Sequence, residues 1–387
     1  MKIYLTYECL ECLLKQAQST ARILCKQSDK NLQDSFEMEQ KAREAVKAIF
    51  ENLEDFQELR FQDAHNENYT LTPKDKRRLQ DLLREFFETQ YAISLTSSKH
   101  EIPKNPKYQI PDEKWEEDLE ENDFEIPPTM LAVLVYDEIC KALNTSAPYA
   151  QIKKQSIDKA RLYKQQFLES LQDKLQNNAK AREVLEFAIR ICVLGNVLDY
   201  GAQTQFSLEE QAQKILQSPF AVFDLESFMC GLEKAKNLII IGDNAGENEF
   251  DEVLICVLKA LYPKLKIFYF VRGAEIINDI TLVDLKNTDS AIFHLAEVVD
   301  SGVMSPGFIK SFASSNARNL YEQADLILAK GMGNLESMES AARLDKRVFF
   351  LFKVKCDVVK NYLQKNLGDF VFWNPNSHAI LNSKNPC

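Results

Sequence analysis

The sequence predicts an α/β fold in which the first part of the chain is mostly helical and the second part forms a doubly wound parallel sheet. Two observations lead to this prediction. From about residue 235 onwards, short apolar runs alternate with segments of helical periodicity, as they do when helices join parallel strands. Before that point, apolar residues recur mainly at helical spacing, without a comparable series of strands.

Composition narrows the class of protein. The chain has 387 residues, 45% hydrophobic and 27% charged, which is usual for a soluble globular protein of two domains. The net charge is −11 and no long basic run occurs, which argues against nucleic acid as a partner. The longest apolar runs are too short to cross a membrane. Glu8 and Glu11 interrupt any secretory signal, and nine scattered cysteines suggest reduced thiols, so we expect a cytoplasmic protein.

The amino-terminal part begins with a predicted helix that carries Cys9 and Cys12 as a C-x-x-C pair. A zinc site needs about four ligands and no second C-x-x-C exists. The pair is therefore either two small apolar side chains on a helix, or part of a site completed from elsewhere, such as Cys356. A polar, acidic insertion follows over about residues 29–123, with helical patterns and an exposed proline-rich stretch. A lid over a site is the alternative interpretation of that stretch.

Further helices are expected after Pro127 and from about residue 153, before an apolar tract that ends near residue 200. Asn196 and Asp199 close this tract and lie three residues apart, on one face if the helix continues. Polar side chains beside an apolar tract are either hydrogen-bonded core groups or site residues. Both interpretations stay open at this point.

The stretch from Lys236 to Leu261 organises the second part of the chain. Its apolar run, Leu238–Ile241, predicts a buried strand, and the periodicity from Phe250 onwards predicts a helix. The Gly-Asp-Asn-Ala-Gly-Glu loop between them puts Asp243 and Asn244 at the carboxyl end of the strand, where ligands bind in open α/β sheets. The loop lacks the glycine spacing of nucleotide-binding motifs. Taken alone, it is explained slightly better as an ordinary turn.

Apolar runs predict four more strands later in the chain, and right-handed crossovers bring the carboxyl ends of all five to one edge of the sheet. The predicted strands are Leu238–Ile241, Ile267–Val271, Ala296–Val299, Leu326–Ala329 and Val348–Phe352. A polar loop punctuated by glycine or lysine follows each strand, which a ligand site explains better than chance. The site residues expected from these loops are Asp243, Asn244, Glu247, Asn278, Asp279, Ser301, Gly302, Lys330, Gly331, Gly333, Asn334 and Lys355.

The chemistry of these residue types points to phosphate. Asp243, Asn244 and Asp279 offer the hard oxygen ligands that Mg²⁺ or Mn²⁺ prefers. Lys330 precedes a Gly-x-Gly loop that opens a helix, and so offers an ammonium and backbone N–H groups to an anion. A metal and a lysine on opposite sides of one pocket would clamp a phosphoryl group. The alternative is a surface lysine on a glycine turn, with Asn334 as the helix cap.

The same segments resemble a known family. GDNAGE, IIND, the DSG and PG pair, KGMGNLES and the KC pair are similar to the ARMT-like damage-control phosphatases of the domain-of-unknown-function eighty-nine family. The amino-terminal C-x-x-C and the GNVLDYG segment resemble its prokaryotic branch. The resemblance spans most of the chain outside the insertion. One departure is Ala147, since the family usually has aspartate before the Pro-Tyr pair found here at Pro148 and Tyr149.

The resemblance implies a helical domain over residues 1–225 and a Rossmann-like α/β/α domain over residues 226–387 that carries the site. It implies metal-dependent hydrolysis of phosphate monoesters, often sugar phosphates or damaged phosphometabolites. The implied metal ligands are Asp243, Asn244 and Asp279, and the implied phosphate-binding residue is Lys330.

The sequence and the resemblance lead to further expectations. We add Asn196 and Asp199 to the residues expected to contact substrate, and the resemblance implies that Cys9, Cys12 and Cys356 lie close together. The expected metal is Mn²⁺ or Mg²⁺, with Co²⁺ or Ni²⁺ as alternatives, and the expected partner is a small phosphorylated metabolite. A methyltransferase for carboxyl groups that uses S-adenosylmethionine is an alternative function, although the first loop lacks closely spaced glycines. A non-catalytic binder of phosphorylated metabolites is another.

Overall fold

The computed structural model describes residues 5–27, 32–51, 53, 71–97, 126–177, 179–194 and 215–378. The expected site residues Asn196 and Asp199, and the proline-rich stretch of the insertion, lie outside these ranges. The described residues of the first part of the chain are mainly helical, as the periodicity predicts. Its helices are α1 (Tyr7–Gln27), α2 (Leu32–Phe50), α3 (Pro73–Ser97), α4 (Pro128–Leu143), α5 (Ala150–Gln176) and α6 (Ala181–Cys192).

The second part alternates strands with helices around one seven-stranded sheet in the described residues. The strands are β1 (Val222–Phe223), β2 (Asn237–Ile241), β3 (Lys266–Val271), β4 (Glu297–Asp300), β5 (Leu326–Lys330), β6 (Val348–Lys353) and β7 (Phe370–Trp373). The helices are α7 (Leu225–Lys234), α8 (Glu247–Leu261), α9 (Leu282–Asn287), α10 (Ile292–Leu295), α11 (Ser315–Gln323), α12 (Met332–Ala342) and α13 (Asp357–Leu363).

The strand order is β1-β7-β6-β5-β2-β3-β4, and every neighbouring pair is parallel except β6 and β7, which are antiparallel. The predicted α/β class is confirmed, and each of the five predicted strands is present with ends that differ by one residue. The edge strands β1 and β7 were not predicted. The sheet is therefore mostly parallel, with one antiparallel strand near an edge.

Both faces of the sheet are buried, as continuous apolar runs predict. In β2, Leu238 and Ile240 belong to one apolar cluster with residues of α6 and α8. The intervening Ile239 and Ile241 belong to a second cluster with residues of α11 and α12. Because successive side chains of a strand point to opposite faces, β2 is covered on both sides and lies at the centre of the domain.

A third apolar cluster joins the amino-terminal helices to the site edge of the sheet. Leu10, Phe50 and Leu131 are among its buried members in α1, α2 and α4, and Met304 and Phe312 reach it from the loops after β4. The cluster thus fixes the position of α4 near the carboxyl ends of the strands. No helix in the described ranges combines the length and apolar content that a bilayer crossing requires.

The cysteines of the described residues differ in state. Seven of them are free thiols, including Cys9, Cys12 and Cys356. Cys230 is disulfide-bonded, which corrects the expectation of reduced thiols throughout.

Candidate functional site

The candidate site lies where the strand order reverses. From β2 the sheet extends through β3 and β4 on one side, and through β5 and β6 on the other. In parallel α/β sheets a crevice opens at this switch point, beside the carboxyl ends of the central strands. Asp243 follows β2, Arg272 directly follows β3, and Lys330 is the last residue of β5. These three side chains therefore start from the place where a ligand is expected.

The loops after β2 and β3 are joined through their backbones. The amide of Ile280 donates to the carbonyl oxygen of Asp243 over 2.8 Å. Asn244 and Asp279 face each other in a short antiparallel bridge. The structure thus brings together the three residues that the sequence proposes as metal ligands.

Arg272 is a buried cation between the two aspartates, and its role was not predicted. Its Nε donates to Asp279 Oδ2 over 2.8 Å, and its Nη2 lies 4.0 Å from Asp243 Oδ1. Nη2 also donates to the carbonyl oxygen of Pro306 and to Asn334 Oδ1, over 2.9 and 3.2 Å. An arginine directly after a buried strand was the available signal, because a charge there must find partners at the strand ends.

Two carboxylates of α8 hold Lys330. Its Nζ lies 3.0 Å from Glu247 Oε2 and 2.5 Å from Asp251 Oδ1, and all three side chains are fully buried. The hydroxyl of Tyr269 donates to the other Asp251 oxygen over 2.7 Å. Burial acts to lower the pKa of Lys330, but Asp251 and Glu247 outweigh burial and raise the pKa, so the ammonium keeps its proton. Lys330 lies at the edge of the sheet where the sequence predicted it, but its pairing with two acidic residues was not predicted.

Asn244 connects these groups into one polar network. Its Nδ2 donates to Asp243 Oδ2 and to Glu247 Oε1, each over 2.9 Å. Glu247 was expected to contact substrate, but the structure buries it completely between Asn244 and Lys330. We refer below to the carboxylate cluster, which consists of Asp243, Glu247, Asp251 and Asp279.

The carboxylate cluster contains more acidic groups than buried cations that pair with them. Its four acidic groups pair with two buried cations, Arg272 and Lys330. Burial, with repulsion from Glu247 and Asp279, raises the pKa of Asp243 well above its ordinary value. Burial also raises the pKa of Asp279 to about 6, although Arg272 opposes this rise. Burial of these carboxylates together therefore disfavours their ionised forms, and an added positive charge would relieve this cost.

Gly331 packs directly against the Asp243 carboxylate. Its backbone has φ +82°, and a Cβ on this residue would lie 2.0 Å from Asp243 Oδ2. Its amide donates to the carbonyl oxygen of Leu351 over 3.0 Å, and the residue caps the start of α12. Glycine is required here both by the backbone conformation and by the close approach of the carboxylate.

Asn334 ties the loops of the site together. Its Oδ1 accepts from the amide of Phe308 over 2.8 Å and from Arg272, and its Nδ2 donates to the carbonyl oxygen of Lys330 over 2.5 Å. The side chain is fully buried. The geometry therefore gives Asn334 a positioning role in place of the expected substrate contact.

Three other expected residues shape the backbone around the site. Ser301 is buried, and its Oγ accepts from the amide of Val303 over 3.2 Å. Gly302 has φ +74°. A Cβ on Gly333 would lie 2.4 Å from the carbonyl oxygen of Pro306. These residues determine how closely the loops after β4 and β5 approach each other.

Asn278 and Lys355 lie nearer to the surface. Asn278 is half-buried, and its carbonyl oxygen accepts from the amide of Ala245 over 2.8 Å. Lys355 is exposed after β6, and its charge opposes the rise in the pKa of Asp243 that burial causes. Lys355 is therefore a solvent-exposed cation whose charge acts on the carboxylate cluster.

The three thiols of the expected cluster lie within electrostatic reach of one another. Burial raises the pKa of Cys356 to about 12, and the charges of Glu336, Cys9 and Cys12 add to this rise. Burial likewise raises the pKa of Cys9 to about 11. Protonated thiols are poor nucleophiles. In the described ranges, no three His, Cys, Asp or Glu side chains are already spaced to hold a metal ion.

Comparison with known proteins adds independent information. A family model described as the damage-control phosphatase ARMT1-like domain matches residues 5–371. A damage-control phosphatase of Pyrococcus horikoshii is 28% identical over 247 residues, which are 63% of this chain and 80% of the relative. A damage-control phosphatase of Archaeoglobus fulgidus is 29% identical over 246 residues, or 62% and 80% of the two chains. An uncharacterized protein of Methanocaldococcus jannaschii is 32% identical over 248 residues, or 63% and 79%.

A solved structure supports the fold. The crystal structure of a protein of the domain-of-unknown-function eighty-nine family from Pyrococcus horikoshii superposes with a TM-score of 0.63. The match covers 96% of this chain and 99% of the other, at 22% sequence identity.

Proposed function

The chain belongs to the damage-control phosphatase ARMT1-like domain family, and from this premise we propose that it is a metal-dependent phosphatase of small metabolites. Its substrates in this proposal are phosphate monoesters, either sugar phosphates or damaged phosphometabolites. The names of the relatives from Pyrococcus horikoshii and Archaeoglobus fulgidus support the reaction class. The residues at the carboxyl ends of the strands support the proposed metal dependence and the proposed binding of phosphate.

One observation carries the proposal: the carboxylate cluster has two more acidic groups than buried cations. A divalent cation would supply the missing charge. Asp243 and Asp279 offer carboxylate oxygens, and Asn244 would offer its amide oxygen once the amide turns over. Such hard ligands fit Mn²⁺ or Mg²⁺, and they also accept Co²⁺ or Ni²⁺. The donor set therefore fits the metal that the proposal requires.

The chain's own residues would bind the phosphate on the other side of the crevice. When bound, the metal would neutralise charge on the phosphoryl oxygens. Lys330 keeps its proton, and Glu247 and Asp251 fix its position. Gly331 lets the backbone approach an anion, and the first turn of α12, an eleven-residue helix, adds partial positive charge. Lys330 and this helix start would stabilise the transferring phosphoryl group.

The test is phosphate release by the purified chain. The protein is first treated with a chelator, and a panel of phosphorylated metabolites is then assayed with each of the four metals in turn. We expect release only with metal, and a loss of at least about 100-fold in Asp243→Asn. Asp345→Asn is the control. Asp345 is a half-buried carboxylate that pairs with Arg347 just before β6, and therefore lies at the opposite end of this strand from the site.

Two outcomes would contradict the proposal. Equal phosphate release without metal would show that the reaction does not depend on a metal. Binding of phosphorylated ligands without phosphate release under any metal would instead indicate a non-catalytic binding protein. Binding of labelled S-adenosylmethionine would favour the methyltransferase alternative instead.

A further inference from the structure

Lys153 is a buried lysine that the proposed reaction does not use. It lies in the first turn of α5 and is completely excluded from solvent. Its Nζ lies 2.9 Å from Glu275 Oε2 and 2.5 Å from Asp284 Oδ2. A fully buried lysine is costly unless it is paired, so the two carboxylates stabilise this side chain in its buried position.

The two partners of Lys153 stand on either side of one site loop. Glu275 lies near the start of the segment that follows β3, and Asp284 lies just beyond its end, in the first turn of α9. Between them the loop carries Asp279, a member of the carboxylate cluster. The far end of the loop is tied down, because Thr281 donates its amide and its hydroxyl to Asp284 over 2.9 and 2.6 Å. One ammonium therefore closes the loop across its base.

This loop needs such a closure. Ile277 has φ +36°, a left-handed conformation that is strained for a β-branched residue and persists only where the surroundings impose it. Lys153 itself is held from the other side. Its amide donates to the carbonyl oxygen of Tyr149 over 2.8 Å, and the hydroxyl of Tyr149 lies 3.0 Å from Thr20 Oγ1 of α1. The anchor thus connects the helical layer to the loop.

We infer that Lys153 is a positioning residue, which holds the loop of residues 275–284 so that Asp279 stays opposite Asn244, the residue after Asp243. The expected effect on metal binding rests on the proposed function, whereas the expected effect on the position of the loop does not. Lys153 acts on the loop through its two carboxylate partners, Glu275 and Asp284, neither of which belongs to the carboxylate cluster.

The matched control is Lys164 on the same helix. It also pairs with two carboxylates, Glu249 over 2.6 Å and Glu252, but both belong to α8 and neither lies in the site loop. Loss of a lysine with two acidic partners is therefore common to Lys153→Met and Lys164→Met, although Lys153 is fully buried and Lys164 is half-buried. Only Lys153→Met removes the closure of the loop.

Two measurements test the inference. In the metal-free protein, Lys153→Met should increase amide hydrogen exchange over residues 274–280, and Lys164→Met should not. By calorimetric titration, Lys153→Met should weaken Mn²⁺ binding about tenfold or more, the usual effect of removing support behind metal ligands. Glu275→Gln should change both readouts in the same direction by less. It carries the test if Lys153→Met does not fold.

The outcomes separate the two proposals. Unchanged exchange and unchanged Mn²⁺ affinity in both Lys153→Met and Glu275→Gln would overturn the inference and leave the phosphatase proposal standing. Increased exchange in Lys153→Met, together with a wild-type chain that binds no Mn²⁺, would support the positioning of the loop and overturn the metal-dependent function.

Discussion

Replacing Gly331 by alanine tests where the Asp243 carboxylate lies. The added Cβ would stand 2.0 Å from Asp243 Oδ2, whereas ordinary contacts begin near 3.4 Å, so one group must move by roughly 1.4 Å. Displacing a catalytic group by about 1 Å costs on the order of 100-fold in rate. We therefore expect Gly331→Ala to lower kcat/KM by about 100-fold and to weaken Mn²⁺ binding.

The same substitution also strains the backbone, and a control separates the two effects. At φ +82° and ψ 158°, Gly331 lies in a region used almost only by glycine, which costs other residues about 1–3 kcal/mol. Gly368 has φ +89°, but a Cβ there would meet its nearest atom, Lys353 Cε, at 3.9 Å. Gly368→Ala should therefore lose stability while keeping activity.

The assay compares kcat/KM for one phosphate ester, Mn²⁺ affinity and the unfolding temperature in the two variants. The expected result is a loss of stability in both, and a loss of activity and metal affinity in Gly331→Ala alone. If Gly331→Ala kept the wild-type kcat/KM and Mn²⁺ affinity, the Asp243 carboxylate would not occupy the position described.

Three further predictions concern the cluster. Lys330→Met should lower kcat/KM by about 100-fold, because a positive charge near the phosphate is lost. It should also lower the free energy of unfolding by about 3–5 kcal/mol, because Glu247 and Asp251 would stay buried without their cation. Wild-type values in both assays would contradict this prediction. Burial raises the pKa of Asp279 to about 6 from an unfolded value near 4, so the stability that its protonation contributes is lost as pH rises through this window. Mn²⁺ should therefore raise the unfolding temperature more at pH 7 than at pH 5, and Asp279→Asn should reduce that difference. In calorimetric titrations, Asp279→Ala should abolish Mn²⁺ binding and Asn244→Ala should weaken it less, because an amide carries no charge; equal losses would refute the ligand assignment.

The sequence was sufficient for the central part of the fold. Four strands could be located because each is an apolar run that ends at a glycine or a polar residue, as Leu238–Ile241 does before Gly242. The fifth, Ala296–Val299, is apolar except for Glu297. Convergence of the following loops then follows from the handedness of crossovers. The resemblance to damage-control phosphatases is confirmed by the family match over residues 5–371.

The sequence was insufficient where the signal was short or the partner was distant. β1 has two residues, and β7 has four that fit a helix or a strand equally well. Asp251 lies on the predicted amphipathic helix, where an acidic residue normally faces solvent. Its partner Lys330 is far away in sequence, and only the assembled sheet brings the two together. Arg272 was visible at a strand end, but its position between two aspartates depends on the fold of the intervening loop.

The pairing of β1 with β7 has a consequence for the order in which the protein can fold during synthesis. Val222 pairs with Val371 and Phe223 with Phe372. The first strand of the sheet therefore cannot pair until the last strand has been synthesised. Contacts between residues so far apart in sequence form slowly, because a long loop must close first. On the ribosome, β6 has no partner on its outer side until β7 emerges, and it presents free N–H and C=O groups to other chains. Chains released before residue 370 would keep this edge exposed and would pair with one another.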